Sequence, residues 1–477
     1  MKLLASLICT LLFWGIGYSQ DPNSVPLKAL DSLIAAHELP QAKQLLDKQV
    51  NDLYSQGDFY NATSYIYYLG RIISKMKDKE QGETAVLDFG KTMESKTTDP
   101  KALRQLHLEI ASFYEYLGNP KKSIEHDLIA LDYTQKMPEK TGELLGLVYS
   151  NLGVYSSYTG DYQQAASYQK KALEAYDSYE KTDKSNYYMV YNSLGATMWY
   201  ASKIDSALVY YQLAEKSLEE LEPTPKNKYY RPAILNNNMA IIFSIQGDAN
   251  GALNAMKKTV TLLNQYQKED ISQSNKDSGR QFLFQAIDNY AGMYKDMGDF
   301  QKSKELLLYA YEQKKKYLGN DSPEVLKSKS LIGQINVSLK EFGQAKKFLD
   351  EAIAGFEADQ GNFTYWLADA YRYKAALYEE ANDIASAKIC YDKSSVLYKQ
   401  TLGEYYDEIY LDFVVFASRF YAKHGYEDQA LSMAKEAHDY IVENQGGKTL
   451  LEYYQTLNLA EIEYELGNYP EAVKQSE

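Results

Sequence analysis

The chain has 477 residues and a formal net charge of −14, from 65 acidic and 51 basic side chains. Nucleic-acid binding needs clustered Lys and Arg to neutralise phosphates, so this acidic balance argues against a nucleic-acid partner. There are only 5 His and 2 Cys, and they form none of the short spacings that metal sites use. No metal or cofactor is therefore predicted.

The first residues have the pattern of a secretory signal peptide. Lys2 precedes an apolar run over residues 3–16, and the small residues Gly17 and Ser19 mark a cleavage site after Ser19. We predict that residues 1–19 are a signal peptide and that the protein is exported, to the periplasm or beyond the cell. The run is shorter than the ~20 residues of a membrane span. A membrane is expected as a partner only in the alternative that this segment stays uncleaved.

Removal of the signal peptide would leave Cys390 as the only cysteine. An intramolecular disulfide is then impossible, despite an oxidising destination. Cys390 occupies a position where a small buried residue is expected, which favours a packed thiol over a reactive nucleophile.

Residues 20–100 are helical in pattern but irregular in spacing. Two turn-like phrases, His37 to Ala42 and Gly57 to Ala62, lie only 20 residues apart. The stretch from Gly57 to Gly118 leaves room for an additional helix around residues 82–93. Irregular first units are typical of the cap of a repeat array, so we predict an atypical N-terminal cap over 20–100.

From residue 101 to residue 477 one phrase returns at a steady interval. A turn-forming residue is followed five positions later by Ala or Ser, and most steps equal the 42 residues from Gly118 to Gly160. Such a period predicts a tandem array of one supersecondary unit. The pairs are Gly118/Ser123, Gly160/Ala165, Ser202/Ala207, Gly247/Ala252, Gly298/Ser303, Lys340/Ala345, Asn382/Ala387, Gly425/Ala430 and Gly467/Ala472.

Each unit has the pattern of two helices joined by a tight turn. Around Gly160, small or apolar residues lie on one face before the turn, and Ala165 and Ala172 share a face after it. Gly160 permits a left-handed backbone and Asp161 is a suitable N-cap, so one helix ends and another begins there. Gly153 and the two alanines allow close helix contact. The sequence thus predicts an all-α fold of stacked helix–turn–helix units.

These units resemble the tetratricopeptide repeat, in which Leu-Gly in the first helix is followed by Ala after the turn and a second Ala seven residues later. That family has an ordinary period of ~34 residues, so the array is most similar to the longer variant of kinesin light chains and bacterial arrays. The run Tyr317-Leu-Gly-Asn-Asp-Ser-Pro-Glu-Val-Leu326 strengthens the likeness. There, Gly319 ends one helix and Ser322-Pro323 begins the next. The resemblance implies an α-solenoid that winds as a right-handed superhelix.

Two polar stretches interrupt the period. Residues 267–279 lengthen one step to the 51 residues between Gly247 and Gly298, and residues 221–228 lie one repeat earlier. Their turn-rich composition predicts surface loops.

The last repeat is incomplete as written. Its Ala is Ala472, and its second small residue would fall after Glu477. Since solenoids close with a polar-faced cap, we expect a longer polypeptide, a partner that covers this end, or self-association through it.

The resemblance implies that the first helix of each unit lines the concave side of the array. An inward-facing position there carries Asn151, Asn238 and Asn289, with Asn192 and Asn237 one residue before that position in their own repeats. Asn amides can donate to and accept from a peptide backbone, and the related kinesin light-chain repeats use Asn at this position. The alternative is that these amides cap or bridge neighbouring helices.

A second row consists of Tyr116, Tyr158 and Tyr200, each two residues before a turn and 42 residues from the next. Aromatic rings beside amides suit an extended peptide, although interhelical packing would also account for these rings. The Lys/Asn/Arg clamp by which some family members hold a C-terminal carboxylate is missing, because Arg372 and Arg419 lack its companions.

No motif of nucleophilic, phosphate-binding or paired-carboxylate catalysis occurs, so the chain is predicted to be no enzyme. We predict a protein- or peptide-binding scaffold with its site in the concave groove. In the alternative, implied by similar bacterial arrays, the chain is the sensing or regulatory arm of a larger protein. The catalytic part would then be a caspase-like CHAT peptidase or a sensor kinase domain beyond residue 477.

Overall fold

A computed structural model describes residues 25–137, 142–358, 363–403, 406–444 and 450–476. These residues contain helices joined by short turns, and no strand occurs among them. None of the helices in these ranges combines the length and apolarity that a bilayer crossing requires. The predicted signal peptide at residues 1–19 and its cleavage site at Ser19 lie outside the described residues.

The described residues form two compact units, which divide between Leu221 and Glu222. We call residues 25–221 the N-terminal unit and residues 222–476 the C-terminal unit. The helices of the N-terminal unit are α1 Val25–Ala35, α2 Leu39–Gln56, α3 Phe59–Thr63, α4 Ile66–Met76, α5 Lys79–Lys96, α6 Pro100–Tyr116, α7 Pro120–Lys136, α8 Gly142–Tyr158, α9 Tyr162–Asp177, α10 Ser185–Tyr200 and α11 Ile204–Leu218.

The C-terminal unit begins with a π-helical turn, Lys226–Tyr230, that runs directly into its first α-helix. Its helices are α12 Arg231–Ile245, α13 Ala249–Tyr266, α14 Gln273–Asp296, α15 Phe300–Leu318, α16 Pro323–Ser338, α17 Phe342–Glu357, α18 Thr364–Glu380, α19 Ile384–Leu402, α20 Glu408–Lys423, α21 Glu427–Asn444, α22 Leu450–Glu465 and α23 Tyr469–Ser476.

Consecutive helices pair as antiparallel hairpins, and the hairpins stack in chain order within each unit. In the N-terminal unit α7 packs on α8 and α9 packs on α10. In the C-terminal unit α13, α15 and α17 each pack on the helix that follows. This side-by-side stacking is the arrangement of an α-solenoid, so the predicted all-α fold class is confirmed.

All nine predicted turn residues adopt the left-handed backbone conformation. Gly160 has φ of 82°, and even Lys340, which has a side chain to accommodate, has φ of 59°. At Gly160 the next N–H, that of Asp161, donates to the Ser156 carbonyl at 3.1 Å. This bond and the one from the Gly160 N–H to the Ser157 carbonyl satisfy carbonyls that the end of α8 leaves open. The turn phrase is therefore confirmed as the hinge of each hairpin.

The residue after the turn caps the second helix in most hairpins. The Asp161 carboxylate accepts a hydrogen bond from the Gln164 N–H at 2.9 Å, as predicted. Lys203 and Glu341 stand at the equivalent position without a side-chain cap bond. The same cap is made by Asn119, Asp248, Asp299 and Asp383.

Small residues at two positions of each second helix make close packing possible. Ala165 and Ala172 in α9 and Ala345 and Ala352 in α17 are fully buried. In α7 the hydroxyl of Ser123 replaces the first alanine and donates to the Ala111 carbonyl at 2.9 Å. These positions lie where a larger side chain would push the two helices apart.

The irregular N-terminal segment uses the same turn. His37 and Gly57 have φ of 58° and 71°, and Ala42 and Ala62 are fully buried. The additional helix predicted around residues 82–93 is α5, which extends further in both directions. The predicted limit between cap and array, at residue 101, falls one residue after the start of α6. The division between the two units at Leu221 was not predicted.

The prediction of a surface loop over residues 267–279 is wrong for its second half. α14 begins at Gln273, because the Ser272 hydroxyl accepts a hydrogen bond from the Asn275 N–H and caps the helix. Gly279 is buried in α14, and a Cβ there would lie 2.7 Å from the Tyr266 ring. The predicted loop at 221–228 likewise gives way to the π-helical turn from Lys226.

Several first helices contain a glycine at the point where the second helix of the hairpin approaches too closely for a side chain. A Cβ built on Gly333 would lie 2.5 Å from the Cγ of Leu349, a side chain that is fully buried. We expect Gly333→Ala to lower the free energy of unfolding by ~1–3 kcal/mol, because the neighbouring core has no room to yield. Chemical unfolding followed by far-UV circular dichroism measures this change.

The matched control is Gly343→Ala in the same hairpin. A Cβ on Gly343 would meet nothing within 4 Å, so this change is expected to leave stability unaltered or to raise it by up to ~1 kcal/mol. Equal losses in the two variants would contradict the close-approach argument.

Candidate ligand-binding surfaces

The predicted amides of the N-terminal unit lie on the first helices α8 and α10. Asn151 is 5% exposed, and its side chain is close enough to Asp127 to lower the pKa of that carboxyl. Asn192 is half-buried. The Asn192 amide is therefore the more accessible of the two.

The predicted amides of the C-terminal unit bridge two first helices. Asn237 and Asn238 in α12 and Asn289 in α14 are 4–6% exposed. The Asn289 amide donates to the Asn237 side-chain oxygen at 3.3 Å, and the Asn237 amide donates to that of Asn238 at 3.3 Å. These bonds correspond to the alternative in which the amides bridge neighbouring helices. Whether the same amides hold a peptide stays a prediction.

The tyrosine row keeps part of its surface in solvent. Tyr116 is 37% exposed, and Tyr158 and Tyr200 are half-buried. The Tyr200 ring stacks on Tyr162 with centroids 5.8 Å apart and planes inclined by 7°. The Arg71 guanidinium lies 6.0 Å from the centroid of the Tyr116 ring. The three rings thus take part in packing and still present an accessible face.

A group of polar side chains that the sequence analysis missed lies between α6, α7 and α8. We call Glu115, Asp127, Asn151 and Tyr155 the acidic cluster. The Tyr155 hydroxyl donates to Glu115 Oε2 at 3.2 Å. Asp127 is fully buried, and neither of its carboxylate oxygens has a hydrogen-bond partner of normal geometry among the described residues.

Burial dominates the electrostatics of this cluster. It raises the pKa of Asp127 well above its ordinary value, and the Glu115 carboxylate raises it further. Burial also raises the pKa of Glu115, against the hydrogen bond from Tyr155. The positive charge of Arg104 lies close enough to lower the pKa of Asp127 in part. Its guanidinium also donates to the Thr134 hydroxyl at 3.0 Å and to the Leu144 carbonyl at 3.4 Å.

Two of the five histidines also come together. His107 and His126 face each other across the α6–α7 hairpin, with their Nδ1 atoms 2.9 Å apart and ring centroids 5.2 Å apart. A separation of 2.9 Å is that of a hydrogen bond, in which one ring donates its Nδ1–H to the Nδ1 of the other ring. That geometry suits one shared proton and does not converge on a metal ion. Burial, together with the neighbouring His126, lowers the pKa of His107 to about 4.

The inner arginines of the C-terminal unit are already paired with acids. Arg372 donates to Asp412 at 3.0 Å and lies 3.5 Å from Asp369, which accepts the Tyr398 hydroxyl at 2.5 Å. Arg419 pairs with Glu461. Arg372 is therefore buried and paired with two acids. That a carboxylate clamp is missing stays a prediction.

Other candidate sites are few in the described ranges. A small cleft between α16 and α18 is lined by Lys327, Ser330, Trp366 and Asp369, among others. Cys390 is buried, as predicted, and burial raises the pKa of its thiol. Among the described residues no three His, Cys, Asp or Glu side chains are arranged to hold a metal ion.

Two segments, residues 103–178 and 283–358, match the family model for the tetratricopeptide repeat. These segments are tetratricopeptide repeats. The first covers most of α6 to α9 and the second covers most of α14 to α17, so each unit contains such repeats. The predicted resemblance to the tetratricopeptide repeat is confirmed. The likeness to the longer variant of kinesin light chains, drawn from the run Tyr317 to Leu326, stays a prediction. The likeness to CHAT-associated arrays stays a prediction.

Solved structures with a similar chain fold have low sequence identity. A tetratricopeptide repeat protein from Parabacteroides merdae is 12% identical, with 66% of this chain and 98% of that chain covered and a TM-score of 0.41. Aspartyl phosphate phosphatase F from Bacillus subtilis is 16% identical, with 85% and 96% covered and a TM-score of 0.48.

A putative kinesin light chain from Podosopora anserina is 15% identical, with 40% of this chain and 90% of that chain covered and a TM-score of 0.34. The comparison with curated proteins gave no match. At these identities the structural likenesses concern the fold alone.

The buried carboxyl of Glu109 makes the stability of the N-terminal unit depend on pH. Burial raises its pKa from 4.5 to about 8, and a hydrogen bond from Gln105 at 2.9 Å lowers it in part. The folded carboxyl thus holds its proton more tightly than the unfolded one. Its stabilising contribution is full below pH 4.5 and is lost as the pH rises toward 8.

We therefore expect Glu109→Gln to raise stability at pH 9 relative to the parent chain, by on the order of 1–3 kcal/mol, with a smaller difference at pH 5. Thermal melts at pH 5, 7 and 9 measure this trend. Glu174→Gln, on the exposed face of α9, is the control and should show no such trend. A pH-independent difference for Glu109→Gln would contradict the argument.

Proposed function

We propose that this chain is a non-catalytic scaffold that binds a protein or an extended peptide along the first helices of its hairpins. The observation that carries the proposal is the chemistry of those helices. These helices carry side-chain amides, most of them buried, beside tyrosine rings that are partly exposed. Segments of both units match the tetratricopeptide repeat. Amides bond a backbone without regard to its side chains, and rings contribute contact area at small entropic cost.

Each unit offers its own part of this surface. In the N-terminal unit it comprises Tyr116, which is exposed, and Tyr158, Tyr200 and Asn192, which are half-buried. In the C-terminal unit it comprises the amide chain of Asn237, Asn238 and Asn289. The two 3.3 Å bonds in this chain are long, so a peptide backbone that replaces them loses little.

Simultaneous alanine replacement of Asn192, Asn237 and Asn289 tests the proposal. The probe is a phage-displayed library of random dodecapeptides, offered to the full chain. We expect the parent to enrich peptides and the triple variant to recover them at least tenfold less well, since each lost amide removes a polar contact worth ~1 kcal/mol.

Asn264→Ala is the matched control. Asn264 is exposed on the second helix α13 and bonds only locally to the Val260 carbonyl, so its removal should leave peptide recovery unchanged. Circular dichroism confirms that each variant keeps its helices. Failure of the parent to enrich any peptide, or equal recovery by the triple variant, would overturn the proposal.

Export is proposed on the strength of the N-terminal sequence alone. Lys2, the apolar run over residues 3–16 and the small residues Gly17 and Ser19 support cleavage after Ser19. Expression of the full sequence in a Gram-negative host should give a periplasmic protein whose first residue is Gln20, as determined by intact mass. A cytosolic product that retains Met1 would contradict export.

A further inference from the structure

One buried position breaks the packing pattern in two hairpins of the N-terminal unit. The position four residues after the turn's Ala or Ser faces the first helix and holds a buried aliphatic, Met or Tyr side chain in five other hairpins. There it is occupied by Tyr211, Met256, Leu307, Leu349 and Tyr391, each at most 5% exposed. In α7 and α9 it is Asp127 and Gln169, both fully buried. Packing alone does not account for these two residues.

Both exceptions are left without ordinary hydrogen bonds. Neither amide atom of Gln169 has a hydrogen-bond partner among the described residues. The Asp127 carboxylate likewise has no partner of normal geometry there, although the Asn151 side chain lies close enough to lower its pKa. An unpaired buried polar group costs ~1–3 kcal/mol. A leucine, as at positions 307 and 349, would fill the same place without that cost. Asp127 lowers the stability of the hairpin relative to a leucine at the same position. The presence of a carboxyl there points to a ligand that interacts with it.

The acidic cluster opens toward solvent at Glu115. Asp127 lies behind it, close enough for the two carboxyls to repel each other. Glu115 is half-buried, and its Oε2 accepts the Tyr155 hydroxyl at 3.2 Å. The Tyr158 ring lies beside Tyr155, with centroids 6.5 Å apart. Carboxylates framed by phenol rings are the surroundings that organic cations prefer.

The N-terminal unit itself shows that its tyrosines accept a guanidinium. The Arg71 guanidinium carbon lies 5.3 Å from the centroid of Tyr67 and 6.0 Å from that of Tyr116, the neighbour of Glu115 in α6. A metal ion is the poorer fit, since the described residues hold no three metal-binding side chains in a suitable arrangement.

We propose that the acidic cluster receives the cationic side chain of a Lys or Arg residue in the bound segment. This inference rests on the proposed peptide-binding function and adds the chemical class of its ligand. The cation pairs with Glu115 at the entrance, packs against the Tyr158 ring and, by its charge, favours the ionised form of Asp127 behind it. The partner is accordingly a peptide or protein segment with a basic residue, and not an acidic one.

The experiment offers the full chain four pools of dodecapeptides, with random flanks and a fixed central Lys, Arg, norleucine or Glu. We expect the Lys and Arg pools to be recovered at least tenfold better than the norleucine pool, which has the same apolar stem without the charge, and the Glu pool least. Glu115→Gln should abolish the preference for Lys and Arg. Glu174→Gln, on the exposed face of α9, should retain it.

Asp127→Leu separates a binding role from a structural one. If Asp127 takes part in binding the cation, the Asp127→Leu variant should melt at a higher temperature than the parent. It should also have a weaker preference for the Lys and Arg pools. A variant that melts lower and keeps the preference would overturn the proposal.

The remaining outcomes are also decisive. Equal recovery of the Lys and norleucine pools by the parent overturns the cation site and leaves peptide binding intact. Recovery of no pool counts against both the cation site and the proposed function. A melting temperature that rises with calcium or zinc chloride, and fails to rise in Glu115→Gln, would identify a metal site and overturn the proposal.

Discussion

A backbone N–H that reaches back to the fifth preceding carbonyl closes every turn of the repeat phrase, from Asn119 to Asn468. The bond forms only if the residue before it takes a left-handed conformation, which costs a residue with a side chain about 1–2 kcal/mol. Ser202, Lys340 and Asn382 accept that cost. The turn geometry fixes the angle between the two helices of a hairpin. The buried alanines, the close-approach glycines and the row of first helices all depend on that angle.

Much of this fold follows from local chemistry, which is why the sequence predicts it well. Three residues within six positions illustrate this. Gly160 indicates a helix end, Asp161 an N-cap and Ala165 a packed face, and the structure shows each of these features. Ser272 was missed because its cap lies in a polar stretch without an apolar pattern nearby. The pairing of His107 with His126 depends on hairpin register, which becomes visible only when residues are counted outward from the turn in both directions.

The acidic cluster could not be predicted for a different physical reason. Asp127 occupies a position that holds a buried aliphatic, Met or Tyr side chain in five other hairpins. The repeat period predicts that this position is buried, but it does not predict which groups a buried carboxyl would contact. The C-terminal unit places two acids, Asp369 and Asp412, beside the buried cation Arg372. In the N-terminal unit the pKa values of Glu109, Glu115 and Asp127 are raised by burial.

The left-handed residue at each turn has an evolutionary consequence. Because glycine, serine, lysine and asparagine all close the turn with the same bond, neighbouring hairpins have matching ends and nearly interchangeable packing faces. Recombination between two such copies deletes or duplicates a whole hairpin and creates no new kind of interface. An array of this kind can therefore change its length in evolution in steps of one hairpin, while the residues of each first helix diverge freely.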